Sequence, residues 1–283
     1  MGTNTGRSIR RRRNQVIPGF GLSMGVTIFM LSLIVLIPLA SVFVVLSGAT
    51  PQEIWKAITD PQTVSTYKVS FACAGIASVV NVVFGILLAW IITRYKFPLR
   101  RVLDGLIELP FALPTAVAGI SLTTLYSDKG WIGGFFAKFG VMISYTTIGI
   151  TIAMIFIGIP FVVRSIQPVL EKLDPQYDEA ASVLGASKAR IFFKIIFPEI
   201  TPAALTGFGL AFARAIGEYG SVVFIAGNIP WKTQITPLII KSKLEQFNYT
   251  AATSIALVMI IFAFCVLFGI NTLQARINRI AQG

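Results

Sequence analysis

Residues 19–46 read GFGLSMGVTIFMLSLIVLIPLASVFVVL, 28 positions without one charged side chain. A run of that length with neither strict alternation nor a polar face suits the hydrocarbon of a bilayer, where about 20 residues of helix cross the core. Lipid offers the backbone no hydrogen bonds, so the run must be a helix that satisfies its own N–H and C=O groups. Working outward, similar runs lie at about 69–93, 102–126, 141–163, 200–226 and 249–273. The chain is expected to be an all-α integral membrane protein with six transmembrane helices.

Composition agrees. Of 283 residues 55% are hydrophobic and 13% charged, and the mean hydropathy is +0.77, which excludes a soluble enzyme and a disordered chain. The net charge of +12 would suggest nucleic acid in a soluble protein. Here the basic residues are short groups between apolar runs, the pattern of loops facing an anionic cytoplasmic leaflet. With the N-terminus inside, Arg7, Arg10–Arg13, the groups at 94–101 and 164–194, Arg276 and Arg279 are cytoplasmic. Lys56, Lys68, Lys129, Lys138, Lys232, Lys241 and Lys243 lie outside, and Arg214 alone is buried. Both termini are therefore expected in the cytoplasm, with the chain in the inner (plasma) membrane and in contact with its lipid. No small-residue cleavage pattern follows the first run, so it is expected to remain as an anchor.

Cys73 and Cys265 both sit in apolar runs, and histidine is absent. A disulfide framework, a metal site and His-dependent hydrolysis are not expected. The chain divides into a basic tail (1–18), a first helix with its outer loop (19–58), a core of five helices (59–274) and a cytoplasmic tail (275–283). One cytoplasmic connection, residues 164–199, is far longer than a helix bundle needs.

Within that connection Asp174-Pro175 breaks the chain, and Asp178-Glu179-Ala180-Ala181 opens a helix with acid at its N-terminal end. Gly185 interrupts it. Ser187 caps a second short helix that Pro198 is expected to end before the fifth span. The spacing Glu179-Ala180-Ala181, three residues, Gly185, nine residues, Ile195-Ile196-Phe197-Pro198 resembles the EAA loop of ATP-binding-cassette importer permeases. Phe197 stands where that family usually has Leu. The resemblance implies the type I importer permease fold, in which this loop docks into a cleft on a separate ATPase subunit. It makes Glu179, Ala180, Ala181, Gly185, Ile195 and Pro198 the ATPase-coupling residues. It also implies an ATPase dimer that carries the ATP and magnesium, a second permease chain and an extracytoplasmic binding protein. The chain supplies no phosphate loop of its own: Gly227 to Lys232-Thr233 lacks the second Gly before the Lys and contains Pro230.

Arg214 and Glu218 stand four apart in the fifth span, where an unpaired charge costs about 2.5–3.5 kcal/mol on insertion scales. Such a pair either contacts a passing oxyanion through the guanidinium or only neutralises itself. The stretch Arg214 to Ser221 and on to Asn228, with Leu109-Pro110, Leu113-Pro114 and Val117-Ala118-Gly119, resembles the sulfate and molybdate branch of these permeases. Within it the chain is similar to the CysT-type subunit, which implies a CysW-type sister and a sulfate-binding protein. Arg214, Glu218, Pro110, Pro114, Thr115 and Ser221 form the candidate translocation path for sulfate, thiosulfate or, alternatively, molybdate or tungstate. Glu108 is expected to pair with Arg100 or Arg101, and the stripe Ala77, Asn81, Gly85, Ala89 to pack a neighbouring helix. The rival from another class is a proton-coupled anion carrier using Glu108 or Glu218.

Overall fold

A computed structural model describes residues 20–282, the side chains of Pro175, Tyr177 and residues 277–282 excepted. The basic tail at 1–18 and the side chain of Arg279 lie outside the described residues. The described residues up to Gly48 and those from Ala49 onward belong to two compact units.

In the first unit α1 (Phe20–Ser47) is a 28-residue helix. Its large apolar side chains, Phe29, Ile34 and Val44 among them, are exposed. One π turn, Ser32–Leu36, interrupts it, with the Ile37 amide donating to the Ser32 carbonyl. Pro38 follows two residues later. A proline ring clashes with the carbonyl four residues back and lacks a donor, and widening the preceding turn relieves both defects without ending the helix.

The second unit contains α2 (Pro51–Thr59), α3 (Pro61–Arg94), α4 (Arg100–Ala112), α5 (Thr115–Tyr126), α6 (Gly133–Ala137) and α7 (Thr147–Lys172). It continues with α8 (Pro175–Val183), α9 (Lys188–Ile216), and α10 (Val222–Ile225), α11 (Thr236–Glu245) and α12 (Tyr249–Gln282). No strand occurs among the described residues. Prolines open α2 and α3, where the missing N–H has no intrahelical partner anyway. Thr50 and Glu53 close a capping box at α2, and the Asp60 carboxylate accepts from the Thr63 amide at α3.

The long helices α3, α7 and α9 pack against one another, and α12 lies along α9 and α11. Their core has two layers: one built from Cys73, Ala77, Met154, Phe212 and Ala215, the other from Ala89, Val162, Ile166, Ile196 and Ile200. The stripe Ala77, Asn81, Gly85, Ala89 is buried, as expected. A Cβ at Gly85 would lie 2.9 Å from Val162 Cβ, and one at Gly207 2.8 Å from Val162 Cα, so three helices meet this closely only through glycine. Asn81 packs against Gly158, and its Oδ1 has no hydrogen-bond partner among the described residues.

Among the described residues five helices are long and apolar enough to cross a membrane, six if the bent pair α4–α5 counts as one span. That pair replaces the single third span expected at 102–126, because the chain is bent by 112° between the two limbs. Leu113, which precedes Pro114, is held extended at φ −88°, ψ 135°, since the proline ring excludes the helical region for its neighbour. A second correction concerns Pro198. Instead of ending a short helix, it lies inside one continuous 29-residue helix, α9. As in α1, a π turn (Phe192–Ile196) precedes the proline, and the Phe197 amide donates to the Phe192 carbonyl. Helix α9 then stops at Ile216 rather than running to 226, with Gly217 at its C-cap and α10 a separate short turn. Because Arg164 to Lys172 belongs to α7, the long connection narrows to residues 173–187.

Candidate functional site

The connection between α7 and α9 is built around its bend. The Asp174 carboxylate caps α8 by accepting from the Gln176 amide at 3.0 Å. At the other end Gly185 adopts φ +82°. Its amide donates to Ser182 O at 3.0 Å, and the Ala186 amide donates to Ala181 O at 3.0 Å. This pair of bonds is the Schellman arrangement, whose left-handed position is open to glycine at little cost. Ala181 and Ala186, brought together by it, pack against the core layer of Ile191 and Ile196. The Ser187 hydroxyl then caps the start of α9, accepting from the Arg190 amide.

Glu179 and Ala180 are exposed, Ala181 and Ile195 half-buried, and Gly185 and Pro198 exposed. At the bend two apolar side chains, Val183 at 88% and Leu184 at 87%, are almost wholly exposed. Burying two such side chains on a partner is worth about 1.5–3 kcal/mol each before the costs of association.

Arg214 and Glu218 form the ion pair expected from their spacing. Glu218 is 2% exposed and Arg214 35%. The other carboxylate oxygen, Oε1, accepts from the Ser221 amide at 2.8 Å and from the Ser221 hydroxyl at 2.9 Å. The acid is thus satisfied on both oxygens and ties the end of α9 to the start of α10. On the opposite side, a Cβ at Gly119 would fall 2.5 Å from Ser221 O, and Gly220 is in close contact with Thr115. Thr115 begins α5 directly after the 112° bend, with no side-chain cap on that helix end. The structure therefore gathers Thr115, Glu218 and Ser221 into one knot, with Arg214 at its accessible edge. Pro114 is exposed at the bend itself, and Pro110 is buried within α4, on the other limb.

Residues 81–279 match the family described as binding-protein-dependent transport system inner membrane component. The chain belongs to that family. The sulfate transport system permease protein CysT of Salmonella typhimurium is 49% identical over 269 residues, covering 95% of this chain and 97% of that protein. CysT of Escherichia coli K12 matches with the same identity and coverage, and CysT of Synechocystis is 46% identical over 88% of this chain and 87% of its own. Among solved structures, a bacterial alginate ABC transporter, in complex with an alginate pentasaccharide-bound periplasmic protein, superimposes with a TM-score of 0.76. It is 16% identical, covering 91% of this chain and 94% of that one. The inward-facing MetNI methionine ABC transporter gives a TM-score of 0.60 at 13% identity, over 76% of this chain and 96% of that one. At such identities the likeness is one of fold, the type I importer permease fold. This inner-membrane component is a multi-pass transport subunit and not an enzyme.

Glu108 of the inner-membrane component pairs with Arg164 at 2.6 Å rather than with Arg100 or Arg101. Arg164 also reaches Asp104 at 2.8 Å, so one guanidinium on α7 holds two carboxylates of α4. Sequence spacing cannot show a partner 56 positions away. Val183 and Leu184 went unremarked between Glu179 and Gly185. Their signal was available: two apolar residues immediately before a C-terminal glycine. No group of three or more His, Cys, Asp or Glu able to hold a metal ion occurs among the described residues.

Proposed function

We propose that the chain is the permease subunit of an ATP-driven sulfate and thiosulfate importer that moves the oxyanion by alternating access. The observation that carries the substrate is the near full-length match to sulfate transport system permease proteins at 49% identity. The docking bend supports the energy source: α8 offers Glu179, Val183 and Leu184 to a partner while its capped ends are fixed to α7 and α9. In this proposal the bend and both termini face the cytoplasm, and an ATPase dimer, which binds the ATP and magnesium, seats the bend in its cleft. A CysW-type sister completes the pathway, and an extracytoplasmic binding protein delivers the anion.

Nucleotide-driven closure of the ATPases presses on α8, and the continuous helix α9 carries the motion to the knot at Arg214, Glu218 and Ser221. Arg214 meets the anion with the edge that Glu218 leaves accessible, and Thr115 adds a hydroxyl from the bend. The pair keeps net charge low, so contact is weak enough for release. A proton-coupled carrier would leave the bend at Gly185 without a role, and its two candidate carboxylates are each paired in place, Glu108 with Arg164 and Glu218 with Arg214 and Ser221.

The test is uptake of labelled sulfate by cells with and without the chain, under depletion of ATP with the proton gradient kept. Uptake is expected to need both the chain and ATP, and to be blocked more by thiosulfate than by molybdate. Uptake that persists on the gradient alone refutes the coupling, and competition by molybdate alone refutes the substrate.

A further inference from the structure

Resting on the coupling role proposed for α8, we infer that Arg94 is the positioning residue that joins this docking helix to the ends of α3 and α7. Arg94 stands in the last turn of α3. Its Nη2 donates to the carbonyl of Leu173, the C-cap of α7, at 3.4 Å. The guanidinium lies 5.7 Å from the ring centre of Trp90, one turn back on its own helix. Trp90 meets Phe192 edge-on at 5.5 Å, in the π turn of α9. One cation thus touches, or is braced by, three of the long helices.

The fourth element is α8. Asp178, in its first turn, places Oδ2 3.8 Å from Arg94 Nη2. Asp178 is the acidic residue of α8 that turns inward, whereas its neighbour Glu179 is exposed. The side chains of Arg94 and Asp178 are only 16% and 28% exposed. At 3.8 Å the charges attract without a hydrogen bond, and both Arg94 Nε and Asp178 Oδ1 are buried with no hydrogen-bond partner among the described residues. A guanidinium and a carboxylate left with unused donors and acceptors can trade geometry at little cost as α8 rocks, while the attraction keeps the helix from lifting away. A fully closed two-bond fork would clamp α8, and an uncharged pair would release it. This joint does neither.

The test uses the assembled complex in proteoliposomes and reads the ratio of ATP hydrolysis with and without sulfate-loaded binding protein. Arg94→Gln and Asp178→Asn are each expected to lower that stimulation about tenfold, within the range of coupling between distant sites. Basal hydrolysis and retention of the ATPase through purification stay unchanged, which loss of a merely structural contact would not leave intact. The double variant should be no worse than either single one, and Arg94→Lys should recover part of the ratio. Stimulation within about twofold of the wild type in both single variants, or independent losses that multiply in the double variant, overturns the inference. Should Arg94→Gln fail to assemble, Asp178→Asn decides by the same criterion. Gly185→Trp is the control for the underlying proposal: if it keeps stimulation, the coupling role of the bend is wrong. If it loses stimulation while the two pair variants keep it, only the role of Arg94 falls.

Discussion

Replacing Glu218 by alanine and by glutamine separates two tasks of one carboxylate. Alanine removes both hydrogen bonds to Ser221 and the partner of Arg214. A buried Ser221 amide left without an acceptor costs about 1–3 kcal/mol. An uncompensated guanidinium at the centre of a membrane costs about 2.5–3.5 kcal/mol on insertion scales. Arg214 is 35% exposed, so its share falls to about 1–2 kcal/mol. Alanine should therefore destabilise the chain by about 2–5 kcal/mol. Glutamine keeps a carbonyl oxygen where Ser221 needs an acceptor and loses only the charge, about 1–2 kcal/mol. The difference of about 2 kcal/mol is the worth of the tie between α9 and α10, and it is free of the Arg214 contribution. Unfolding in mixed micelles, titrated with dodecyl sulfate and followed by circular dichroism, reads both variants on one scale. If the two agree to within about 0.5 kcal/mol, Ser221 is not held by Glu218, and the site must be redrawn around the ion pair alone.

Gly119→Ala places a methyl group 2.5 Å from the Ser221 carbonyl, against backbone that cannot turn aside, and should cost about 1–3 kcal/mol in the same assay. Gly105→Ala meets nothing within 4 Å on α4 and should gain up to about 1 kcal/mol in helix propensity; equal effects at the two sites would deny the close approach of α5 to Ser221. At helix α2, the bonds from the Thr50 backbone and side chain hold the Glu53 carboxyl below its ordinary value of 4.5. A lowered acid stabilises above its unfolded pKa and loses that contribution as pH falls through the folded one. Protection of the Thr50 amide, measured by hydrogen exchange and corrected for the intrinsic rate, should therefore decline below about pH 4.5 and be flat with pH in Glu53→Gln.

The spans were legible because lipid imposes a simple rule: residues 19–46 and 249–273 lack charge, and helices stand there. Their ends were not, because helices α3 and α7 continue through polar turns at Thr63 and Arg164 that hydropathy treats as loop. Proline was read in one direction only. At Pro114 it breaks the helix, but at Pro198 the π turn absorbs it, and no local composition distinguishes the two outcomes. In the site, the Arg214–Glu218 pair follows from a spacing of four. The contacts of Ser221 with Gly119 and of Arg94 with Asp178 join segments more than 80 positions apart, and only packing reveals them.

The π turn at Phe192–Ile196 also has a rotational meaning. Each residue of an α-helix advances about 100° around the axis, so one extra residue in a turn offsets everything beyond it by about that angle. In α9 this offset lies between Lys188, beside the bend at Gly185, and Arg214, at the far end of the same helix. The azimuth of Arg214 relative to the bend is therefore set by that inserted residue. Removing one residue from the turn would leave a continuous rod that still crosses the bilayer, with Arg214 aimed at a different neighbour.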